Sequence, residues 1–407
     1  MRHLNAAALG GASHVANYVA SAKPYTKQQS INFIDLKTQH ERIGDRISER
    51  INQVFASGHF IMGPLIDELE QKLAIYTGTQ HAVAVSSGTD ALFISLLARG
   101  IGAGDAVFIP GFTFSATAEV IVLAGATPVF VDVEVDTFNI CAADLRQQIA
   151  TIKKEDRLRP AAIMAVDLFG LPADYQALRT ICDEHGLYLI GDAAQSFGAS
   201  QNNPGHKVQR VGSLADVTAT SFYPSKPLGC YGDGGAIFTN DGDLANILRS
   251  IRSHGEGNGA YDNVRVGVNG RLDAIQAAVL LEKLEIFDDE LRSRIRIANT
   301  YSQYLRDYVG IPQVPDNTYP SWAQYTICTT KRDILQASLK TANIPTMIYY
   351  PRPMHFQPAY AIYGNGPGSL PTSERLCNEV ISLPFHPYLK NDEISCIVDT
   401  IKTSIGA

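Results

Sequence analysis

From about residue 82 to residue 241, short apolar runs alternate with helix-length stretches. The apolar runs fall at 82–86, 106–109, 128–133, 161–166, 188–191, 218–222 and 236–239. Most are continuously apolar rather than alternating, which is how a strand buried on both faces reads. The helical stretches between them lie at 89–99, 115–124, 142–150 and 175–185. Strand alternating with helix predicts an α/β fold, a mainly parallel sheet covered on both sides. In such a sheet ligands bind beyond the carboxyl ends of the strands, so chemistry is sought there. Farther on, Leu272, Ile275, Val279, Leu280 and Leu284 keep helical spacing and predict a long helix over 271–291, broken near its end. A second helix is expected over 292–305 and a closing one near 391–405. Together these divide the chain into a large domain at 31–285 and a smaller C-terminal α+β domain at 286–407. The Ala-, Ser- and Asn-rich residues 1–30 read as a flexible extension, since their apolar centre is too weak for a signal peptide.

Composition narrows the function classes. The chain has 407 residues, 45% of them hydrophobic, so it can bury a large core. Thirty-four basic against 41 acidic residues leave a net charge of −7, which gives no basic footprint for nucleic acid. The longest apolar stretch, 120–133, is interrupted by Pro128 and falls short of the ~18 residues a membrane span needs. Cys141, Cys182, Cys230, Cys328, Cys377 and Cys396 form no C-x-x-C pair and stand beside no histidine cluster. Free thiols in a reducing, cytoplasmic compartment are expected, with neither disulfides nor a metal site.

Three segments follow strand ends. In Ser86-Ser87-Gly88-Thr89-Asp90 a strand turns into a helix, whose free N–H groups suit a phosphate, although the same residues also make an ordinary helix cap. Asp192 directly follows the apolar run 188–191, as a helix cap or as the counter-ion of a bound cation or a protonated ring nitrogen. Lys226 stands between Pro224 and Pro227 with no other cation nearby, as a structural lysine or as one whose poor solvation makes it a nucleophile. Phosphate anchor, carboxylate for a ring nitrogen and Schiff-base lysine are the three parts that pyridoxal 5′-phosphate requires.

With SSGTDAL (86–92), PGFTFSATAE (110–119), GDAAQSFGA (191–199), SFYPSKPLGCYGDGG (221–235) and GVNGRLDAIQAA (267–278), the chain from about residue 31 resembles the DegT/DnrJ/EryC1/StrS nucleotide-sugar aminotransferases. The resemblance implies an aspartate-aminotransferase-like fold and pyridoxal phosphate as cofactor. It makes Lys226 the Schiff-base and proton-transfer residue and pairs Asp192 with the pyridine nitrogen. Gln195 is placed near the ring hydroxyl, Phe114 on the ring face, and Gly88, Thr89 and Ser221 at the phosphate. Asn269 is supplied by the neighbouring subunit of a homodimer. Arg271 is either a fork for a substrate carboxylate or a helix-start arginine. Tyr349, Tyr350 and His355 fall near the nucleotide sugar. Here the sequence departs from its relatives, since Tyr349 stands where many have histidine. His355 is a sugar contact or a structural histidine, and Trp322 is a substrate contact or, as is expected here, packs the small domain. The long 221–235 run is most similar to enzymes that aminate C3 of UDP-2-acetamido-3-keto sugars, notably the 3-keto-glucuronate of O-antigen and other surface polysaccharides, with L-glutamate as donor. Alternatives are a 3-keto sugar lacking the carboxylate, a C4 aminotransferase, a dehydratase (disfavoured by Lys226) and a regulatory protein that binds without turnover.

Overall fold

A computed structural model describes residues 31–202, 208–259 and 261–406; the expected extension at 1–30 lies outside the described residues. The seven apolar runs form one seven-stranded sheet: β1 (His81–Val85), β2 (Asp105–Pro110), β3 (Thr127–Val131), β4 (Arg159–Val166), β5 (Tyr188–Asp192), β6 (Val217–Ser221) and β7 (Gly235–Thr239). Their order is β1-β7-β6-β5-β4-β2-β3. Only β7 runs against its neighbours; the pairs among β6, β5, β4, β2 and β3 are all parallel. The carboxyl ends of β1, β2, β4, β5 and β6 therefore share one edge of the sheet.

Alternate strand residues face opposite layers, as the pleat requires. On one face Val83, Val85, Val107, Ile109, Met164, Ile190 and Ile237 pack under α3 (Gly88–Ala98), α4 (Ser115–Leu123) and α7 (Gly242–Arg252). On the other, Phe108, Ile163, Ala165 and Leu189 meet α5 (Ala142–Glu155) and α6 (Tyr175–His185). Beyond them Ala82, Ala84 and Phe238 meet α2 (Pro64–Thr77) and α8 (Ala274–Leu305).

The expected break near residue 291 is absent. α8 is one helix of 32 residues, because no proline or glycine interrupts it and Phe287, Leu291, Arg294 and Ile297 stay buried across the charged stretch. It starts three residues after Arg271, and residue 286 lies inside it. Its first half packs on α1 (Leu36–Ser57) through Ile43, Ile47 and Val54. Its second half belongs to a separate apolar cluster. There Ile297, Tyr301 and Leu305 meet the antiparallel pair β8 (Tyr325–Cys328) and β9 (Val380–Leu383), with α9 (Arg332–Thr341) and α11 (Asn391–Gly406) outside. Ile31 and Trp322 join this cluster, so the tryptophan packs as expected. The remaining helix, α10 (Pro371–Glu379), is tied to the sheet by Asp132, which accepts from the Thr372 and Ser373 N–H groups at 2.9 and 2.8 Å. All six cysteines are free.

Candidate active site

Asp192 closes β5 with 5% of its surface exposed. Its Oδ2 accepts from Thr117 Oγ1 at 2.9 Å and its Oδ1 from the Ala194 N–H at 3.2 Å. Burial pushes this carboxyl up, and the two donors and the charge of Lys226 pull it back. Lys226, half-buried, has a lowered pKa because it loses solvent, with Asp192 opposing. The loop of Lys226 thus brings its amine into the field of the strand-end carboxylate, and no hydrogen bond or ion pair occupies that amine among the described residues.

The helix after β1 presses on the end of β6. Ser87 caps α3 by accepting from the Asp90 N–H at 3.0 Å. A Cβ added to Gly88 would lie 2.6 Å from Ser221 Cβ, and one added to Gly235 would lie 2.4 Å from the Ser87 carbonyl oxygen. No side chain fits in either gap. The unused N–H groups at Gly88 and Thr89 therefore sit against the Ser221 hydroxyl in a cradle with the chemistry of a phosphate site. Phosphate cradle, unpartnered lysine and buried carboxylate converge on one sheet edge, an arrangement that fits pyridoxal phosphate.

Around them stand aromatic and amide groups. Gln195 is buried, accepts from the Phe169 N–H at 2.6 Å and donates to the Tyr350 hydroxyl at 3.3 Å. Burial holds that phenol well above its ordinary pKa. Phe114 caps α4 beyond the carboxyl end of β2, is 55% exposed, and has its ring centroid 6.1 Å from that of Tyr350. Tyr349 is half-buried, between Tyr350 and Phe33.

Two further predicted groups lie beside the α3 N-terminus and at the edge of the sheet. Asn269 and Arg271 lie beside the α3 N-terminus, where the Ser86 N–H donates to the Gly270 carbonyl at 2.9 Å. Asn269 is exposed and Arg271 partly so, and Arg271 donates to the Asn269 side-chain oxygen at 2.7 Å. His355 is 2% exposed, with Nε2 3.1 Å from Glu374 Oε1. It lines a cavity of about 430 Å³ bounded by β3, at the outer edge of the sheet, and α5.

Two residues at the site had no role in the sequence reading. Thr117 was within view, three positions after Phe114 and so on the same helix face. Asp167, at the carboxyl end of β4, is fully buried beside Asp192; its N–H donates to the Asp192 carbonyl at 3.0 Å. It accepts from the Ser196 hydroxyl at 2.6 Å and the Ala173 N–H at 2.9 Å. Burial pushes it up to about 7, with the Asp192 charge adding to the rise.

A family model described as the DegT/DnrJ/EryC1/StrS aminotransferase family matches residues 41–402. The chain is 45% identical over 368 residues to a UDP-2-acetamido-2-deoxy-3-oxo-D-glucuronate aminotransferase of Pseudomonas aeruginosa, covering 90% of this chain and 98% of that one. A solved DegT DnrJ EryC1 StrS aminotransferase from Brucella abortus is 50% identical with a TM-score of 0.90, covering 93% of this chain and all of that one. A Bacillus subtilis protein solved with bound cofactor PMP is 27% identical with a TM-score of 0.82, covering 94% of this chain and 87% of that one.

Proposed function

The chain belongs to the DegT/DnrJ/EryC1/StrS aminotransferase family, and from that premise we propose that it aminates C3 of a UDP-2-acetamido-3-keto sugar, the 3-keto-glucuronate, with pyridoxal phosphate as cofactor and L-glutamate as donor. The observation that carries this reading is the approach of Lys226, unpaired and poorly solvated, to the buried Asp192 at the carboxyl edge of the sheet. The named substrate of the 45% identical relative supports the choice of sugar.

When bound, pyridoxal phosphate supplies an electron sink for the pair left behind as a Cα proton departs. The residues of this chain do the rest. The Gly88 and Thr89 N–H groups, with the Ser221 hydroxyl, hold the phosphate at the positive end of α3. Asp192 keeps a proton on the ring nitrogen. Such a pair is worth roughly 4 kcal/mol at ~4 Å and an effective dielectric near 20. Thr117 and the Ala194 N–H fix the carboxylate for that task. Burial lowers the Lys226 pKa, so its amine is ready to take the Cα proton of the donor and return one to the sugar carbon. Phe114 would cover a face of the cofactor ring, Gln195 would meet its hydroxyl, and Tyr349 and Tyr350 would line the sugar side. Arg271 takes a carboxylate through its fork.

The active unit of this proposal is a homodimer in which Asn269 reaches the partner's phosphate. Exposed Tyr261 (96%), Val264 and Val266 (89%), with Phe55 and Phe60, support an apolar contact with a second copy. A cytoplasmic place in O-antigen or related surface polysaccharide synthesis agrees with six free thiols. Among the described residues no helix is long and apolar enough to cross a membrane.

The test is glutamate formation from 2-oxoglutarate by the pyridoxal-phosphate-loaded protein with different UDP-amino sugars. The 3-amino-glucuronate compound is expected to serve, and 3-amino or 4-amino sugars without the carboxylate are not. Glutamate from only a 4-amino sugar would discard the C3 assignment, and from only an uncharged 3-amino sugar the uronate.

A further inference from the structure

Helix α8 takes a second lysine out of solvent. Lys283 is 1% exposed, and its Nζ has no hydrogen-bond partner among the described residues. It stands 4.2 Å from the centroid of the Tyr231 ring. Tyr231 lies five residues after Lys226, in a loop closed on itself: the Phe222 N–H donates to the Gly234 carbonyl and the Cys230 N–H to the Phe222 carbonyl, both at 2.7 Å.

α8 grips the same loop at another point, where the Tyr231 N–H donates to the Gln276 side-chain oxygen at 2.9 Å. Gln276 and Lys283 are two helical turns apart and share a face. From the opposite side, His40 Nδ1 on α1 meets the Tyr231 hydroxyl at 3.1 Å. Tyr231 is thus held at its backbone, its ring face and its hydroxyl.

A buried ammonium without an acceptor is costly, and a methionine would fill the space without that cost. Burial lowers the Lys283 pKa to about 8. The unfolded chain keeps that proton up to about 10.5, so the charged side chain works against folding below pH 8. What it gains in return is the electron-rich ring face, an attraction that strengthens away from water. The other groups around it are already engaged. Glu290 accepts from Gln39 and Tyr388, and the Cys230 thiol donates to the Phe222 and Gly232 carbonyls.

We propose that Lys283 is a positioning residue for Lys226: through the ring of Tyr231 it fixes the loop that keeps the Lys226 amine facing Asp192. The importance of Lys226 rests on the function proposed above; the grip on the loop does not.

Two measurements on the full chain test this. Amide hydrogen exchange at Lys226, Cys230 and Tyr231 is read in the cofactor-free protein, and the rate of cofactor release in the protein loaded with pyridoxal phosphate. Lys283→Met is expected to speed both by about tenfold while the melting temperature stays level or rises. Tyr231→Leu should match it, Tyr231→Phe, which keeps the ring, should do less, and Lys283→Met with Tyr231→Leu should add nothing to either alone. Unchanged exchange and release in Lys283→Met would overturn the proposal. So would faster exchange throughout the chain with a lower melting temperature, which is the mark of a merely structural lysine. Failure of the wild-type protein to take up pyridoxal phosphate would sink the proposed function, while the exchange pattern would still decide the role of Lys283.

Discussion

The carboxyl edge of the sheet and the segment 261–271 present opposite kinds of surface. At the sheet edge, polar groups are buried and matched: Asp192 to Thr117 and Ala194, Gln195 to Phe169 and Tyr350, Asp167 to Ser196 and Ala173. In the segment, apolar groups are exposed and unmatched, with Tyr261 and Val266 almost wholly in solvent and the Asn269 side chain bonded, among the described residues, to its neighbour Arg271 alone. One region is complete within a single chain. The other has the composition of a surface that is finished by contact, since large apolar side chains in water mark interaction sites. In this reading the cofactor cradle is built by one subunit and closed by two.

The largest expected effect falls on the finished half. Lys226→Ala should lower turnover by about 10³-fold or more, because proton transfer at the substrate carbon loses its base; single-turnover measurements with a UDP-amino sugar check it. Asp192→Asn comes next. Loss of the roughly 4 kcal/mol ring-nitrogen interaction predicts about a thousandfold fall in turnover with the loop geometry preserved, read from kcat and the cofactor's absorption spectrum.

The unfinished half breaks differently. Val266→Asp should weaken self-association by at least about tenfold, seen by sedimentation, with activity falling in step with the monomer fraction. Mixing Lys226→Ala subunits with Asn269→Ala subunits should restore activity, because a mixed dimer then holds one intact site. Absence of recovery in verified mixed dimers would place Asn269 in its own subunit's site and dissolve the comparison.

A further effect, on stability rather than on turnover or assembly, lies away from both regions. His386 is buried and its pKa is lowered to about 4, chiefly by loss of solvent. Between pH 6.5 and 4 the unfolded chain takes up a proton that the folded chain refuses, so stability falls as pH falls through that window, by up to about 3 kcal/mol. Thermal melts of the wild type and His386→Gln should diverge there and run parallel above pH 7.

The sheet could be read from the sequence because strands covered on both faces are continuously apolar, and its seven strands stand within a few residues of the predicted runs. The proposed cofactor set was equally accessible, since Asp192 and Ser221 each end a strand and Gly88 and Lys226 stand three and five residues beyond one. What escaped depends on distant partners. α1 buries only Gln39, Ile43, Ile47 and Val54 on an otherwise charged helix, a stripe that acquires meaning only against α8. His355 reads as a loop histidine until Glu374 arrives from 19 residues away. Lys283, in the run Leu-Glu-Lys-Leu-Glu, looks like any solvent-facing helix charge, yet in the fold it is buried with the Tyr231 ring over its amine. Thr117 was the exception, a local signal passed over.

The unbroken α8 has a mechanical consequence. At ~1.5 Å per residue it is a beam close to 50 Å long, with one end beside Arg271 and the other embedded in the C-terminal cluster. Without proline or glycine along its length it has no elbow. A tilt of the C-terminal layer would be carried along the same rod to Lys283 and Gln276. Strain in that layer would be felt, through the rod, in the loop that holds Lys226.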